Sequence, residues 1–310
     1  NKKYKISYMK VLITGGNGMV GKHLQEILPN ARYIGSEECD LTSWKEVEYM
    51  MFLNPPEHLI HLAAKVGGIQ DNISKPAEYY NVNNPTDYYS DNILMNTHIL
   101  KASKQFKVKR FTGILSTCIY PDVVEKYPMK EKDMFLGPPT KSNFSYGYAK
   151  RSLAVQIDAY NKQYGTKYNY LIPCNLYSEH DNFNNESKMH FMTALLKKIK
   201  SSKETLNLLG TGKPLRQFMY AGDLARIIKG VIENKITDSF NVAPSENLSI
   251  DEMANISLNI LNKNLKIKYS KPELDGQFRK DVCNKKLLTY FPNFKFTSFE
   301  EGIKKVYNCI

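Results

Sequence analysis

Four residues of this 310-residue chain have the types and spacings of a proton-transfer site. Ser116 and Cys118 stand two apart in Ser116-Thr117-Cys118-Ile119-Tyr120-Pro121, directly after the apolar run Phe111 to Leu115. Tyr146 and Lys150 stand four apart in Tyr146-Gly147-Tyr148-Ala149-Lys150. On a helix, positions i and i+4 project from one face, so a phenol and an ammonium can touch. A serine closing an apolar strand is delivered to the crevice where parallel sheets bind ligands. Together these groups could move a proton onto or off a substrate oxygen. Cys118 adds a thiol, which proton transfer to oxygen does not need. Taken singly, each residue also has a bland reading: a buried strand-end cysteine, an ordinary helix. A cofactor signature upstream favours chemistry.

That signature lies near the start. Lys10-Val11-Leu12-Ile13-Thr14 reads as a short buried strand, and Val20, Leu24, Ile27 and Leu28 as a helix ended by Pro29-Asn30. Between them Gly15, Gly18 and Gly21 follow G-x-x-G-x-x-G. Gly15 makes the tight turn, Gly18 admits a pyrophosphate, and Gly21 lets helix and strand pack closely. The helix start then offers free N–H groups and partial positive charge to the phosphates. Arg32-Tyr33-Ile34 is a weak second strand ending in Gly35-Ser36 rather than in an acid. A small, hydroxylated end leaves room for a 2′-phosphate and favours NADP, although Glu37 and Glu38 follow closely. Asp40-Leu41 could border the adenine, and Thr42 or Ser43 could cap the next helix.

His58 to Leu62 reads as the third strand, with His61 more plausibly a satisfied core histidine than a catalyst. Small residues beyond it, Ala63-Ala64-Lys65-Val66-Gly67-Gly68, would let a nicotinamide ribose lie against backbone. Pro76-Ala77-Glu78-Tyr79-Tyr80 and Pro85-Thr86-Asp87-Tyr88-Tyr89 form a short local duplication, expected to be a surface insertion before a helix at Asn92–Lys104. Arg110–Leu115 is the fourth strand. A helix carries Tyr146 and Lys150 to about Tyr164, Tyr168–Ile172 is the next strand, and Asp223–Glu233 is a returning helix. Alternating strands and helices imply right-handed crossovers. The expected fold is α/β, a Rossmann-type doubly wound parallel sheet with a smaller, discontinuous C-terminal substrate domain. The division expected is 9–173 plus about 206–238 for the cofactor, and about 174–205 plus 239–310 for the substrate.

Lys and Arg number 43 against 31 Asp and Glu, a net charge of +12. Such a balance suits an anionic small molecule, nucleic acid or membrane surface. The lysines are scattered, however, and no zinc-finger or RNA-recognition signature occurs, so a nucleic-acid partner is not expected. No stretch approaches the roughly 20 apolar residues of a membrane helix, and no membrane partner is expected. Cys39, Cys118, Cys174, Cys283 and Cys309 are odd in number and widely spaced, without CxxC. That pattern argues against a disulfide framework or zinc site and for a reducing, cytoplasmic compartment. The basic start lacks a following apolar run, so no signal peptide is expected, and residues 1–8 read as an extension outside the fold.

The glycine turn, Ser116 and Tyr146-x-x-x-Lys150 resemble the extended short-chain dehydrogenase/reductase superfamily. Further stretches resemble its GDP-L-fucose synthase branch: Ala63 to Gly68, Ser116 to Pro121, His180-Asp181-Asn182-Phe183, Gly210-Thr211-Gly212-Lys213-Pro214-Leu215-Arg216-Gln217-Phe218 and Asp275-Gly276-Gln277-Phe278-Arg279-Lys280. The likeness runs from about Met9 to the C-terminus. It implies NADPH as cofactor, a GDP-4-keto sugar as substrate and a homodimer packed through helices. Cys118 and His190 would invert C3 and C5 as base and acid. Tyr146 would donate a proton at C4, Lys150 would lower the Tyr146 pKa and bind the nicotinamide ribose, and Ser116 would hydrogen-bond the C4 oxygen. Met19, Val20, Ser36, Asp40, Ala63, Ala64, Lys65, Pro173, Asn175 and Leu176 join the glycines at the cofactor. Arg216 matches a diphosphate contact, and Asn175, Lys198 and Lys280 match further substrate contacts; no metal site is implied. Two positions depart from the branch: Ser178-Glu179 replaces its usual Gly-Pro, and Leu209 its frequent Trp. Both are expected near the nucleotide sugar. Three readings follow: the epimerase-reductase making GDP-L-fucose, a related enzyme on another GDP-sugar such as a 4-keto heptose, and a non-catalytic nucleotide-binding protein.

Overall fold

Val11–Thr14 (β1) runs into the glycine turn and the helix Met19–Ile27 (α1). Arg32–Ile34 (β2), the helix Trp44–Leu53 (α2) and His58–His61 (β3) follow. Then come the helix Ser90–Gln105 (α3) and Arg110–Ile114 (β4). A helix of 21 residues, Phe144–Tyr164 (α4), leads to Lys167–Pro173 (β5). The computed structural model describes residues 10–66, 89–183 and 189–310. The N-terminal extension and most of the duplicated segment lie outside the described residues.

The next stretch contains Asn175–Tyr177 (β6), Phe191–Ser201 (α5), Thr205–Leu209 (β7), Leu215–Arg216 (β8) and Phe218–Tyr220 (β9). Ala221–Glu233 (α6) returns to Phe240–Val242 (β10). The chain closes with Leu248–Ser249 (β11), Ile250–Ile260 (α7), Lys266–Ser270 (β12), Arg279–Lys280 (β13), Lys285–Tyr290 (α8) and Phe299–Cys309 (α9).

The main sheet has the order β10-β5-β4-β3-β1-β2, with every pair parallel. Strand order reverses between β1 and β3, the switch point at whose carboxyl ends such sheets bind ligands. The doubly wound architecture read from the sequence is the one observed. Because both faces are covered, the central strands are buried along their length, and Leu12, Ile13, Leu59, Ile60 and Phe111 are fully buried beside the polar His58, His61 and Thr112.

The two cores divide differently from the sequence expectation. Leu206 and Leu208 of β7, assigned to the cofactor part, pack instead with α5, α7 and α9 in the second core. Conversely, Phe240, Val242, Val282 and Leu287, assigned to the substrate part, belong to the first. The reason is pairing: β10 completes the main sheet beside β5, whereas among the described residues β7 pairs only with β12. The boundaries set at 206 and 239 move accordingly.

A buried polar chain crosses this core. His61, fully buried, joins Thr14 Oγ1 at 2.8 Å through Nδ1 and Asn96 Oδ1 at 3.0 Å through Nε2. Asn96 in turn donates to the Ala149 carbonyl of α4 at 3.2 Å. An amide oxygen accepts only, so Nε2 carries the proton and the ring is neutral. Burial, reinforced by the Lys150 charge, pushes the His61 pKa down to about 3. The core reading of His61 is the one observed.

Candidate active site

One cleft of about 1010 Å³ runs along the carboxyl ends of the sheet and under the second core. On the cofactor side, Gly15 turns the chain with φ +73°. A Cβ on Gly21 would stand 2.2 Å from the Gly16 carbonyl oxygen, so only glycine lets α1 sit this close to the turn. Gly18 precedes α1 as its cap, with no side-chain cap bond and no acidic residue in the first turn. The first-turn amides and the positive end of the helix are therefore unmasked by side chains, as an anionic phosphate requires. Gly15, Gly18, Met19, Val20 and Gly21 all line the cleft here.

Ser36 and Asp40 line the cleft beyond β2. Glu38 turns back and accepts from the Gly35 N–H at 2.7 Å. Asp40 accepts from the Thr42 N–H at 2.9 Å and its hydroxyl at 2.7 Å, which holds its carboxyl below the usual range despite partial burial. Ser43 caps α2. Beyond β3, Ala63, Ala64 and Lys65 line the wall. Asn92 fixes that loop, accepting from the Lys65 N–H and donating to its carbonyl at 3.0 Å each, while Lys65 Nζ pairs with Asp91 at 2.5 Å.

At the end of β4 the chain makes a short 3-10 turn, Thr117–Ile119, capped by Ser116 accepting from the Cys118 N–H at 3.3 Å. Thr117 and Ile119 are buried, while Ser116 and Cys118 remain partly exposed on the cleft side. Arg151 of α4 locks this turn through the carbonyls of Ile119 and Gly137. Gly147 permits the approach, since a Cβ there would stand 2.6 Å from the Cys118 carbonyl oxygen. The Cys118 sulfur receives two donors, Asn143 Nδ2 at 2.9 Å and Lys280 Nζ at 3.2 Å. Lys280, expected at the substrate, thus supplies positive charge at the thiol. Asn143 was not singled out from sequence, although it lies one helical turn before Tyr146.

Tyr146 and Lys150 line the cleft opposite Ser116. Lys150 is buried, donates to the Ile114 carbonyl at 2.7 Å and has its pKa pushed down to about 8 by desolvation. The Tyr146 phenol is displaced upward, first by desolvation and then by the neighbouring Cys118. The lowering of Tyr146 expected from Lys150 is not what this structure shows, because the ammonium, 5.9 Å from the centre of the phenol ring, is directed to a backbone carbonyl.

His190 caps α5 without a side-chain cap bond, and its ring points to Asp181, Nδ1 to Oδ1 at 2.8 Å. Burial raises the Asp181 carboxyl, but the hydrogen bond from His190 and the His190 charge outweigh it and hold the pKa below the usual value. With Nδ1 engaged, Nε2 is the nitrogen left to carry a mobile proton. Asp181 was quoted in a motif but given no role; its spacing of nine from His190 carries no helical or strand periodicity that would have flagged it.

Pro173, Asn175 and Leu176 border the cleft at the end of β5, where the Asn175 amide donates to the Gln217 carbonyl at 3.0 Å. Arg216 is packed against the carbonyls of Leu215, Phe278 and Asp275, and desolvation depresses its pKa. Lys198 is exposed on α5 and lines the same cleft. Gln277 bridges the two sides, donating to the carbonyls of Pro121 and Asp122. Leu209 lies on the cleft as expected, but Ser178 and Glu179 do not; they face α1 instead.

Residues 11–243 match the NAD dependent epimerase/dehydratase family. A probable GDP-L-fucose synthase of Drosophila melanogaster is 33% identical over 313 residues, covering 95% of this chain and 94% of that protein. A GDP-L-colitose synthase of Yersinia pseudotuberculosis is 31% identical, covering 96% of each. Among solved structures, a GDP-L-fucose synthetase from Naegleria fowleri bound to NADP superposes with a TM-score of 0.84 at 31% identity, covering 97% of this chain and 92% of that one. The chain belongs to the NAD dependent epimerase/dehydratase family, and within it to the GDP-L-fucose synthase branch. It is an enzyme of the epimerase/reductase class.

Proposed function

We propose that this enzyme is an NADPH-dependent epimerase-reductase converting GDP-4-keto-6-deoxy-D-mannose to GDP-L-fucose, epimerising C3 and C5 before reducing the 4-keto group. The observation that carries this reading is the presence of two separately supported acid–base groups in the cleft that also holds Ser116, Tyr146 and Lys150. Cys118 is supported by Asn143 and Lys280, and His190 by Asp181. A plain reductase needs neither.

The carbonyl at C4 acidifies the hydrogens on C3 and C5. Cys118, as thiolate, removes such a proton while its charge is met by the Asn143 amide and the Lys280 ammonium. His190 returns a proton to the opposite face from Nε2, with Asp181 steadying the imidazolium. Ser116 donates to the C4 oxygen. Tyr146, whose raised pKa keeps it protonated, gives its proton to that oxygen as the new hydroxyl forms. NADPH supplies the hydride for C4. When bound, its pyrophosphate would lie at the unmasked start of α1, Ser36 would leave space for the 2′-phosphate, and Lys150 would be the residue to hold the nicotinamide ribose. Arg216 presents a planar fork to the GDP diphosphate, with Lys198 and Asn175 alongside.

The test is incubation with NADPH and GDP-4-keto-6-deoxymannose, the product identified by NMR. GDP-L-fucose is the expected product; no NADPH oxidation would overturn the reading. Leu209 on the cleft wall favours a second reading, a related GDP-sugar with an altered substituent, such as a 4-keto heptose. Turnover of that sugar in preference to the 6-deoxy sugar would select it. Exposed Leu94 and Val155 on the paired helices α3 and α4 support a homodimer, checked by light scattering of a Leu94→Asp variant. The five free cysteines suit a reducing cytoplasm, and no described helix is long and apolar enough to cross a membrane.

A further inference from the structure

Ser178 and Glu179, the departure from the branch pattern, meet another feature of this chain at α1. His23 is buried, 5% exposed, and its Nε2 lies 2.8 Å from Ser178 Oγ. That hydroxyl also accepts from the His180 N–H at 3.0 Å and donates to Glu179 Oε2 at 3.3 Å. A hydroxyl has one proton and two acceptor positions. With its proton on Glu179, Ser178 can only accept from His23, so Nε2 carries the His23 proton and Nδ1 keeps its lone pair. Nδ1 faces Glu26, one turn along α1, at 3.9 Å from Oε2. The other oxygen of that carboxylate is 3.5 Å from His180 Nε2. This second imidazole nitrogen is buried and has no hydrogen-bond partner among the described residues. The two rings stand 4.7 Å apart, and one ligand atom from each of His23, Glu26 and His180 lies within 4.8 Å of the others.

We propose that His23 Nδ1, the Glu26 carboxylate and His180 Nε2 bind one divalent cation of the zinc type, with water completing the coordination. Two imidazoles and one carboxylate suit a borderline cation rather than Mg²⁺ or Ca²⁺. Ligand bonds of about 2.0–2.2 Å require a contraction that the exposed Glu26 can supply. Ser178 acts behind the site as the partner that fixes the ligating tautomer, itself oriented by Glu179, whose other oxygen accepts from the Tyr220 hydroxyl at 2.5 Å. A bound cation would clamp α1, whose start faces the cleft, to the loop where Asp181 holds His190.

The test uses the tag-free full chain stripped with chelator, the cation added alone as Zn²⁺ or Co²⁺. Calorimetry should give one saturable Zn²⁺ site that raises the melting temperature. The Co²⁺ form should lack a thiolate charge-transfer band, separating this site from Cys118 and Cys309. Glu26→Gln and His180→Asn should each abolish the site while melting like wild type without metal; Ser178→Ala should weaken it about 10–100-fold. Absence of saturable binding, a thiolate band, or undiminished binding in Glu26→Gln overturns the proposal. Should His180→Asn fail to fold, Glu26→Gln, a change at an exposed position, still decides. None of these outcomes depends on which sugar is turned over.

Discussion

At the scale of single residues, the proposed mechanism separates two kinds of proton transfer. Cys118→Ser should abolish solvent deuterium uptake at C3 and C5 of the keto sugar, followed by NMR, whereas Tyr146→Phe should keep that uptake and lose about 10²–10⁴-fold in NADPH oxidation. Undiminished uptake in Cys118→Ser would remove the thiol from the mechanism. Asp181→Asn, which retains the shape but not the charge behind His190, should slow exchange more than reduction. The pH profile carries a second check. Lys150 is a base whose folded pKa is depressed to about 8, so its ammonium is lost as pH rises through that value. kcat/KM for NADPH should therefore decline above about pH 8, and a flat profile across that pH would mean the charge is not needed. Ser116, Tyr146 and Lys150 were legible as a group because strand-end and helical spacings place them. Asn143 and Asp181 were not, because each meets Cys118 or His190 through a loop contact that no periodicity encodes.

At the scale of elements, the glycine turn and the helix α4 are set by contacts that exclude side chains. Gly21→Ala brings a methyl against the Gly16 carbonyl, which forces α1 away from β1. The expected outcome is a loss of NADPH affinity, measured by fluorescence titration, larger than the loss of secondary structure measured by circular dichroism. Equal binding in the variant would show that the turn can relax. The strand–turn–helix pattern at residues 10–28 and the run of α4 were readable because their hydrophobic periods are clear. The placement of β7 was not. Thr205–Leu209 alternates buried and exposed residues, as a half-buried strand does in any layer. Only its pairing with β12, some 60 residues on, assigns it to the second core. The Ser178-Glu179 departure is a similar case, because a pair next to the His180–Phe183 motif in sequence faces α1 and not the cleft.

At the scale of the whole molecule, acid sensitivity follows from two fully buried imidazoles. Burial lowers both His58 and His61 from 6.5 to about 3, in each case helped by a nearby cation. Above pH 6.5 neither the folded nor the unfolded chain protonates them. As pH falls from 6.5 toward 3 the unfolded chain takes up protons that the folded chain refuses, so stability drops. Between pH 7 and pH 5 the loss is on the order of 2 kcal/mol per histidine, measurable by denaturant unfolding; an unchanged midpoint would contradict it. The effect belongs to the fold, since neither ring touches the cleft.

The Thr14–His61–Asn96–Ala149 chain gives that sensitivity a particular shape. One uncharged ring rivets the strand that launches the glycine turn to the long helix carrying the phenol and the ammonium. A proton forced onto Nδ1 would replace the lone pair that faces the Thr14 hydroxyl by a second donor and loosen that attachment, while the Nε2–H bond to Asn96 would remain. Acidification would then reach the strand before the glycine turn first, while the long helix keeps its tie through Asn96.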